Sequence, residues 1–174
     1  MSEIYPFCGK EPLIGERVFI APGARIIGEV ELADDVSIFH NAVLRGDINS
    51  IKVGKNSNIQ DNSTVHLASD RGVVIGCGVT VGHNAIIHAC KIEDYCIIGM
   101  GACIMDGALI SHHSIVGAGA LVTGGKEFPP YSLITGSPAR RLRDLTEEER
   151  EHCEESAKKY VEVKNNFLNL YKKT

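Results

Sequence analysis

The stretch "KIEDYCIIGMGACIMDGALISHHSIVGAGALV", Lys91 to Val122, repeats one pattern every six residues. An aliphatic residue begins each unit, and a residue with a small side chain follows four places later. The aliphatic positions are Ile92, Ile98, Ile104, Ile110, Val116 and Val122, and the small residues are Cys96, Ala102, Ala108, Ser114 and Ala120. A period of six fits neither the 3.6 residues per turn of an α-helix nor a long alternating strand. It fits a short strand followed by a tight corner, repeated many times.

The same period extends toward the N-terminus. Its earlier aliphatic positions are Ile20, Ile26, Leu32, Ile38, Leu44, Val53, Ile59, Val65, Ile75, Val81 and Ile87. Three units close one triangular coil, and stacked coils bury the aliphatic column while each strand pairs in parallel with the strands above and below. The 18 glycines and the absence of tryptophan agree with a chain that has many tight corners. The sequence therefore predicts a mainly β protein built as a parallel β-solenoid.

Charge and hydropathy exclude several classes of protein. The 174 residues carry a formal net charge of -4, without a basic stripe for a nucleic-acid backbone. No run of 18 apolar residues could cross a bilayer, and the N-terminus has no cationic start followed by an apolar block. The six cysteines form no CxxC pair, which favours buried thiols over disulfides or a metal role. We therefore expect a cytoplasmic protein that binds neither nucleic acid nor membrane.

The repeat breaks at "GGKEFPPYSL", residues 124–133, and a helix is predicted over residues 146–174. Thr146 is a suitable N-cap with Glu149 three residues later, and Lys172 and Lys173 suit the last turn. An apolar stripe at helical spacing contains Ala157, Tyr160, Val161, Lys164, Phe167, Leu168 and Tyr171. We expect a solenoid domain over residues 1–145 and a helix whose stripe covers the solenoid or a neighbouring subunit.

The period assigns every aliphatic residue to one of three faces. Face one carries Val53, Ile75, Ile92 and Ile110, face two carries Ile59, Val81, Ile98 and Val116, and face three carries Leu44, Val65, Ile87, Ile104 and Val122. His66 and His88 directly follow Val65 and Ile87, so we expect them to stack on successive coils of face three. Their 22-residue separation is one coil of 18 plus a four-residue insertion, which we place in "LASDRG", residues 67–72.

His83 lies two places after Val81 and so belongs to face two, away from the stacked pair. If three solenoids stand around a threefold axis, face three of one subunit can meet the face-two corner of the next and gather all three histidines. Three imidazoles with an open fourth position form the catalytic type of zinc site. The same docking would pair Arg45 on face three with Asp61 on face two of the next chain, as a structural salt bridge, a catalytic contact or both. We therefore predict a homotrimer.

Two segments resemble the γ-class carbonic anhydrases and their bacterial relatives: "LRGDINSIKVGKNSNIQDNSTVH", residues 44–66, and "VGHNAIIHAC", residues 81–90. The wider hexapeptide-repeat pattern resembles left-handed β-helix proteins over roughly residues 15 to 138. The resemblance, and not the spacing, implies the left-handed sense of the coil. It matches Arg45 and Asp47 to the family's RGD, Asn58, Gln60 and Asp61 to its N-x-Q-D, and His66, His83 and His88 to its three zinc ligands.

The resemblance implies reversible hydration of carbon dioxide to bicarbonate by a zinc-bound hydroxide, with iron or cobalt as alternative metals. Gln60 would hold the reacting oxygen by a hydrogen bond, while Asp47 and Asp61 would fix Arg45 and the outer shell. The chain departs from the family pattern at Ile48, where active members carry glutamate, and in its short 67–72 loop. Loss of those carboxylates predicts slower removal of the proton released in each turnover.

Other interpretations of the same residues remain open. Asn58 and Gln60 could be polar residues of a ladder or corner, and the remaining histidines, His40, His112, His113 and His152, are expected to be solvated. Many hexapeptide-repeat proteins resemble acetyltransferases that use acyl-CoA, although this chain shows no evident acceptor pocket. A third possibility is a metal-binding member of the family with little or no hydrase activity.

Overall fold

The structure, a computed structural model, describes residues 3–171 as a β-solenoid followed by one long helix. Most strands are two or three residues long, as a six-residue period requires. The elements are β1 (Ile4–Tyr5), β2 (Leu13–Ile14), β3 (Phe19–Ile20), β4 (Arg25–Leu32), β5 (Ser37–Ile38), β6 (Val43–Val53), β7 (Asn58–Ile59), β8 (Thr64–His66), β9 (Val73–Ile75), β10 (Thr80–Val81), β11 (Ile86–His88), β12 (Lys91–Ile92), β13 (Ile97–Ile98), β14 (Cys103–Ile104), β15 (Leu109–Ile110), β16 (Ile115–Val116), β17 (Leu121–Val122), β18 (Glu127–Phe128), β19 (Ser132–Gly136), β20 (Ala139–Asp144) and α1 (Glu147–Tyr171).

The strands form two hydrogen-bonded sheets that wrap around the solenoid. In the 12-stranded sheet, the run β17-β14-β11-β8 continues through β6 into β9-β12-β15-β18, so that β6 joins faces three and one. The 8-stranded sheet, β20-β19-β16-β13-β10-β7-β5-β3, forms face two. Every pairing between coils is parallel, and the coil makes about seven turns. The predicted left-handed parallel β-helix with a C-terminal helix is confirmed.

The three predicted aliphatic columns form the core. Val53, Ile75, Ile92 and Ile110 are register partners on face one, and the columns predicted for faces two and three pair in the same way. All of these side chains are at most 2% exposed. The one predicted column residue that is only partly buried is Ile20, in the first turn. The six-residue period thus identified the hydrophobic core correctly.

The corners between strands need special backbone conformations. Asn41, Asn62 and Asn84 occupy equivalent corners with φ near +60°, a region that asparagine tolerates better than most residues. Gly99 meets a different constraint, because a Cβ built on it would lie 2.5 Å from the backbone nitrogen of Ala118 in the next coil. Coils can therefore stack closely at that corner only where a side chain is absent.

The solenoid ends in an antiparallel hairpin of β19 and β20, and α1 begins directly after it. The backbone N–H of Glu149 donates to Oγ1 of Thr146 at 3.2 Å, and the N–H of Thr146 donates to the Glu149 carboxylate at 2.9 Å. This reciprocal pair is the predicted capping box. Lys172 and Lys173, predicted for the last turn, lie outside the described residues.

The helix packs on face two of its own solenoid, against β3, β5 and β10. Phe167 stacks on Phe19 with ring centroids 5.3 Å apart, and Tyr160 meets Phe39 edge to face. Within residues 3–171, no helix is long and apolar enough to span a membrane. All six cysteines are free; Cys90, Cys96 and Cys153 are buried as predicted, whereas Cys8 is exposed and Cys77 and Cys103 are half-buried.

A buried cation fastens this helix to the solenoid. Lys164 is fully buried, and its Nζ donates to the Asp35 carboxylate at 2.7 Å and to the carbonyl oxygen of Arg17 at 3.0 Å. The Arg17 guanidinium also binds Asp35, at 2.6 Å. Hydrogen bonds from Arg17 and Lys164 outweigh the effect of burial and hold the pKa of Asp35 at about 2. The predicted apolar stripe thus contains a charged residue whose partner lies 129 positions earlier in the chain.

Candidate metal centre

His66 and His88 stack on adjacent coils of face three. They end β8 and β11 and are direct register partners. Nδ1 of His66 lies 3.2 Å from Nε2 of His88, and the ring centroids are 5.2 Å apart. Loop 67–72 between the two coils holds the insertion, closed by an antiparallel bridge between Ala68 and Arg71. The stacking and the position of the insertion agree with the sequence-based expectation.

His83 lies apart from this pair, directly beyond β10 on face two. Its Nδ1 is 2.9 Å from the Asp61 carboxylate, and Asp61 also lies 3.3 Å from Nδ1 of His40. The three residues occupy the same position on successive coils. Among residues 3–171, no three histidine, cysteine or acidic side chains lie close enough together to hold one metal ion. Within one chain, His83 is therefore separate from His66 and His88.

Each of the three histidines has a carboxylate on one ring nitrogen. Asp47 lies 3.2 Å from Nε2 of His66, Asp106 lies 2.6 Å from Nδ1 of His88, and Asp61 contacts Nδ1 of His83. An ionised carboxylate can only accept hydrogen bonds, so the contacted nitrogen carries the N–H and the other ring nitrogen keeps its lone pair. Carboxylates in this position orient histidine ligands and make them more basic toward a metal.

The tautomers of His66 and His88 suit a metal ion. With Asp47 and Asp106 each accepting an N–H, the two ring nitrogens that face each other at 3.2 Å both present lone pairs. Facing lone pairs repel each other, and a cation held by both nitrogens relieves that repulsion. Neutral imidazole is a good ligand for zinc and iron. The donor set that His66 and His88 offer therefore fits such an ion.

A bulge in β6 brings Asp47 to His66. The pairing of β4 with β6 is regular up to Gly46 and resumes at Ile51, so the residues between them are additional. Asp47 forms an ion pair with Arg45 of the same chain. Burial acts to raise the pKa of the Asp47 carboxyl, but hydrogen bonds from His66 and Arg45 outweigh burial and lower the pKa below its usual value. Ile48, which follows Asp47 in the bulge, is exposed.

Asn58 and Gln60 lie beneath the helix in a buried chain of polar groups. Nε2 of Gln60 donates to Oδ1 of Asn58 at 3.1 Å, and Nδ2 of Asn58 donates to Oγ1 of Thr80 at 3.0 Å. The Thr80 hydroxyl reaches the Ser156 hydroxyl of α1 at 3.0 Å. Within this chain, Asn58 therefore acts as a polar residue of a hydrogen-bonded ladder, one of the two interpretations that its sequence position allows. Gln60 differs, because it also lines the cleft that reaches His83.

That cleft, between α1 and face two, has a volume of about 630 Å³. Gln60, His83 and Met100 contribute from the solenoid, and Tyr160 and His152 contribute from the helix. Burial and the charge of Asp61 raise the pKa of the Tyr160 hydroxyl, and a hydrogen bond with Gln60 opposes them. The cleft therefore places a phenol, an amide and an imidazole around one space.

Sequence reasoning missed two of these residues and misjudged others. Asp106 stands two places after Ile104 of face three, one coil beyond His88, and the register could have found it. The sequence predicts Tyr160 only as part of the apolar stripe of the helix. Of the histidines expected to be solvated, His40 instead contacts Asp61 and packs on Phe167.

His112 and His113 are half-buried beside Tyr131, so their side chains are solvated only in part. Their ring centroids lie 5.1 Å and 5.6 Å from that of Tyr131. His152 is exposed on α1, as expected for a solvated residue.

Comparison with known proteins identifies the family. The chain is 42% identical over 160 residues to mitochondrial gamma carbonic anhydrase 2 of Arabidopsis thaliana, covering 88% of this chain and 58% of that protein. It is 42% identical over 159 residues to a carbonic anhydrase of Geobacillus kaustophilus, covering 91% of this chain and 87% of the relative. The chain belongs to the γ-class carbonic anhydrase family.

Solved structures place this γ-class carbonic anhydrase family member among the hexapeptide-repeat proteins. A hexapeptide transferase family protein from Anaplasma phagocytophilum superposes with a TM-score of 0.91 at 40% identity, covering 94% of this chain and 97% of the other. No family model matches the chain. The chain also spans only about 58% of the length of the Arabidopsis relative.

Proposed function

We propose that this chain is a metal-dependent carbonic anhydrase that interconverts carbon dioxide and bicarbonate at sites shared between subunits of a homotrimer. The observation that carries the proposal is the division of three carboxylate-bound histidines, two on face three and one on face two. Neighbouring subunits around a threefold axis can bring these two faces together. His66 and His88 of one subunit and His83 of the next would then be the ligands, with one position left for substrate chemistry.

Zinc is the proposed metal, with iron or cobalt as alternatives, and when bound it would act as a Lewis acid that brings the pKa of water close to 7. The residues of the chain prepare the site for this ion. Asp47 and Asp61 would each fix the tautomer of one histidine, so that a lone pair remains available for binding. Gln60 lines the cleft that also contains His83, and in this proposal its amide would orient a small substrate.

Arg45 and Asp47 are proposed to form the side of the site that faces the neighbouring subunit. Their ion pair in one chain leaves the rest of the guanidinium free to reach Asp61 of the adjacent chain. Ile48 cannot accept a proton, so proton removal depends on other groups or on buffer. We therefore expect turnover to be slow and to increase with buffer concentration.

Metal analysis and a hydration assay test the proposal. Purified protein is expected to hold about one zinc, iron or cobalt ion per subunit and to accelerate carbon dioxide hydration in stopped flow. His83→Ala should remove both properties, because it removes one of the three proposed ligands. Metal-free protein that stays inactive after zinc, iron or cobalt is added would contradict the proposal.

A second candidate is acyl transfer, favoured by the name of the Anaplasma protein, which is 40% identical to this chain. An acyltransferase would consume acetyl-CoA and would need no metal. A thiol-release assay with acetyl-CoA and a panel of amine and hydroxyl acceptors separates the two activities. A third candidate, a metal-binding protein without turnover, would hold the metal but fail both assays.

The cytoplasmic location inferred from the sequence stays a prediction. The Arabidopsis relative is named as mitochondrial.

A further inference from the structure

Asp106 makes the shortest hydrogen bond of the three that connect a carboxylate to a candidate ligand. Its Oδ1 lies 2.6 Å from Nδ1 of His88, compared with 3.2 Å for Asp47 and His66. Asp106 stands at the corner after β14, one coil beyond His88. The backbone N–H of the next residue, Gly107, donates to the carbonyl oxygen of Ala89 at 2.7 Å, which ties this corner to the chain just after His88.

Arg71 approaches the same corner from loop 67–72. A Cβ built on Gly107 would collide with the Arg71 guanidinium, so the absence of a side chain at Gly107 makes room for Arg71. The loop itself is well fixed. Ala68 and Arg71 exchange two backbone hydrogen bonds, of 3.0 and 3.3 Å, and the Asn49 amide donates to the Ser69 carbonyl oxygen at 3.2 Å. The inserted loop therefore brings the Arg71 guanidinium close to Asp106, the residue whose carboxylate contacts His88.

The electrostatics of the corner favour the ionised carboxylate. Oδ1 of Asp106 lies 2.6 Å from Nδ1 of His88, and the Arg71 guanidinium lies against Gly107, the residue next to Asp106. An ionised carboxylate accepts and cannot donate, so Nδ1 of His88 must carry the proton of that hydrogen bond. Nε2 of His88, which faces His66, then keeps its lone pair.

We propose that Asp106, supported by Arg71, is a positioning residue that holds His88 in the Nδ1–H tautomer and turns Nε2 toward the metal. This inference rests on the proposed function, since it assumes that His88 is a ligand. It gives the 67–72 loop a role that differs from proton transfer, because the group that the loop contributes to the site is cationic. Asp106 itself acts only through His88.

Nitrogen NMR of the metal-free protein tests the tautomer without any reference to activity. In protein labelled with ¹⁵N-histidine at pH 9, where imidazole rings are neutral, His88 is expected to carry its proton on Nδ1. Asp106→Ala should shift His88 toward the Nε2–H form. The matched control is Asp94→Ala, which removes a carboxylate from the same position of the six-residue unit on face one, where Asp94 accepts from the backbone N–H of Cys77 at 2.8 Å. Asp94→Ala should leave the His88 signals unchanged.

Metal affinity gives the second measurement. In competition with a chromogenic chelator, Asp106→Ala should weaken zinc binding about 10- to 100-fold, the usual effect of losing a partner of a ligating histidine. Asp94→Ala should bind zinc like the unmodified protein. Arg71→Gln should weaken binding about two- to fivefold, as expected for an exposed positive charge near the carboxylate, and should have no further effect when Asp106 is already alanine.

The outcomes separate this inference from the proposed function. If the unmodified protein binds no zinc, iron or cobalt, the proposed function fails, whatever the NMR result. If it binds metal and Asp106→Ala changes neither the His88 tautomer nor the affinity, the role assigned to Asp106 is wrong while the proposed function stands. If Asp106→Ala and Asp94→Ala reduced the zinc affinity equally, the cause would be a general effect of corner substitutions on the solenoid. That result would also overturn the inference.

Discussion

Asp61 binds His83 within one chain, with 2.9 Å between the carboxylate and Nδ1 of the ring. The register alone predicts that Asp61 pairs with Arg45 of an adjacent subunit. In this chain, Arg45 instead pairs with Asp47. The Asp61 carboxylate has two oxygens and can accept several hydrogen bonds, so contact with His83 leaves room for the proposed contact with Arg45. Asp61 would then have two roles: it would orient the ligand His83, and it would stabilise the trimer through Arg45 of the adjacent subunit.

Reassembly of two inactive variants should restore metal sites. His66→Ala and His83→Ala should each lose strong zinc binding. In trimers reassembled from equal amounts of both, about a quarter of the interfaces should combine an intact face three with an intact His83 corner. Zinc content should recover toward that fraction, as measured on the isolated mixed trimers. Mixed trimers that bind no more zinc than their parents would place all ligands in one chain.

Arg45→Ala should weaken the trimer. The substitution leaves Asp61 of the neighbouring subunit without its proposed partner at a partly buried interface, at a cost of about 2 to 3 kcal/mol per contact. Sedimentation velocity over a dilution series would show dissociation at higher protein concentration than for the unmodified chain. Arg141→Ala is the control, because Arg141 pairs with Asp144 within the terminal hairpin. Identical dissociation of Arg45→Ala and Arg141→Ala would mean that the register of the docking is wrong.

Asp35→Asn should destabilise the protein more than Lys164→Met. The first substitution leaves a fully buried ammonium without its carboxylate, which costs about 3 kcal/mol or more. The second leaves Asp35 paired with Arg17 at a partly exposed position. Urea unfolding of both variants at pH 7 measures the difference. A larger loss for Lys164→Met would contradict this account of the helix attachment.

The contribution of Asp35 should also depend on pH. Its pKa is about 2 in the folded protein and 3.8 for an ordinary aspartate, so the unfolded chain takes up its proton first as the pH falls. The stabilisation is therefore complete above about pH 4 and is lost as the pH falls toward 2. The difference in unfolding free energy between the unmodified protein and Asp35→Asn should shrink between about pH 4 and pH 2. A constant difference over that interval would exclude the linkage.

Asn58→Ala should lower stability and disturb the cleft. The substitution removes the acceptor of Gln60 and the donor to Thr80, so buried polar groups lose partners at a cost of about 1 to 3 kcal/mol. Asn165→Ala, on the exposed side of α1, should have little effect on the same urea-unfolding curve. Equal unfolding midpoints for the two variants would mean that the polar chain is not needed for stability.

The sequence by itself determined the solenoid, its three faces and the stacking of His66 on His88. In a repeat that contacts only its neighbours, position along the chain converts directly into position in space. The six-residue count, together with a four-residue insertion in loop 67–72, therefore placed Val65 beneath Ile87 and the two following histidines together. The division at residues 145 and 146 into two domains stays a prediction, as does the trimer.

Only the tertiary structure decided the contacts that do not follow the six-residue repeat. The helix docks on face two of its own solenoid, so Tyr160 meets Gln60 and Lys164 meets Asp35, contacts that join positions at least 100 residues apart in the chain. The bulge in β6 aims Asp47 at His66, and the inserted loop carries Arg71 to the Asp106 corner. Insertions and helix docking follow no period, because their geometry depends on packing between distant segments.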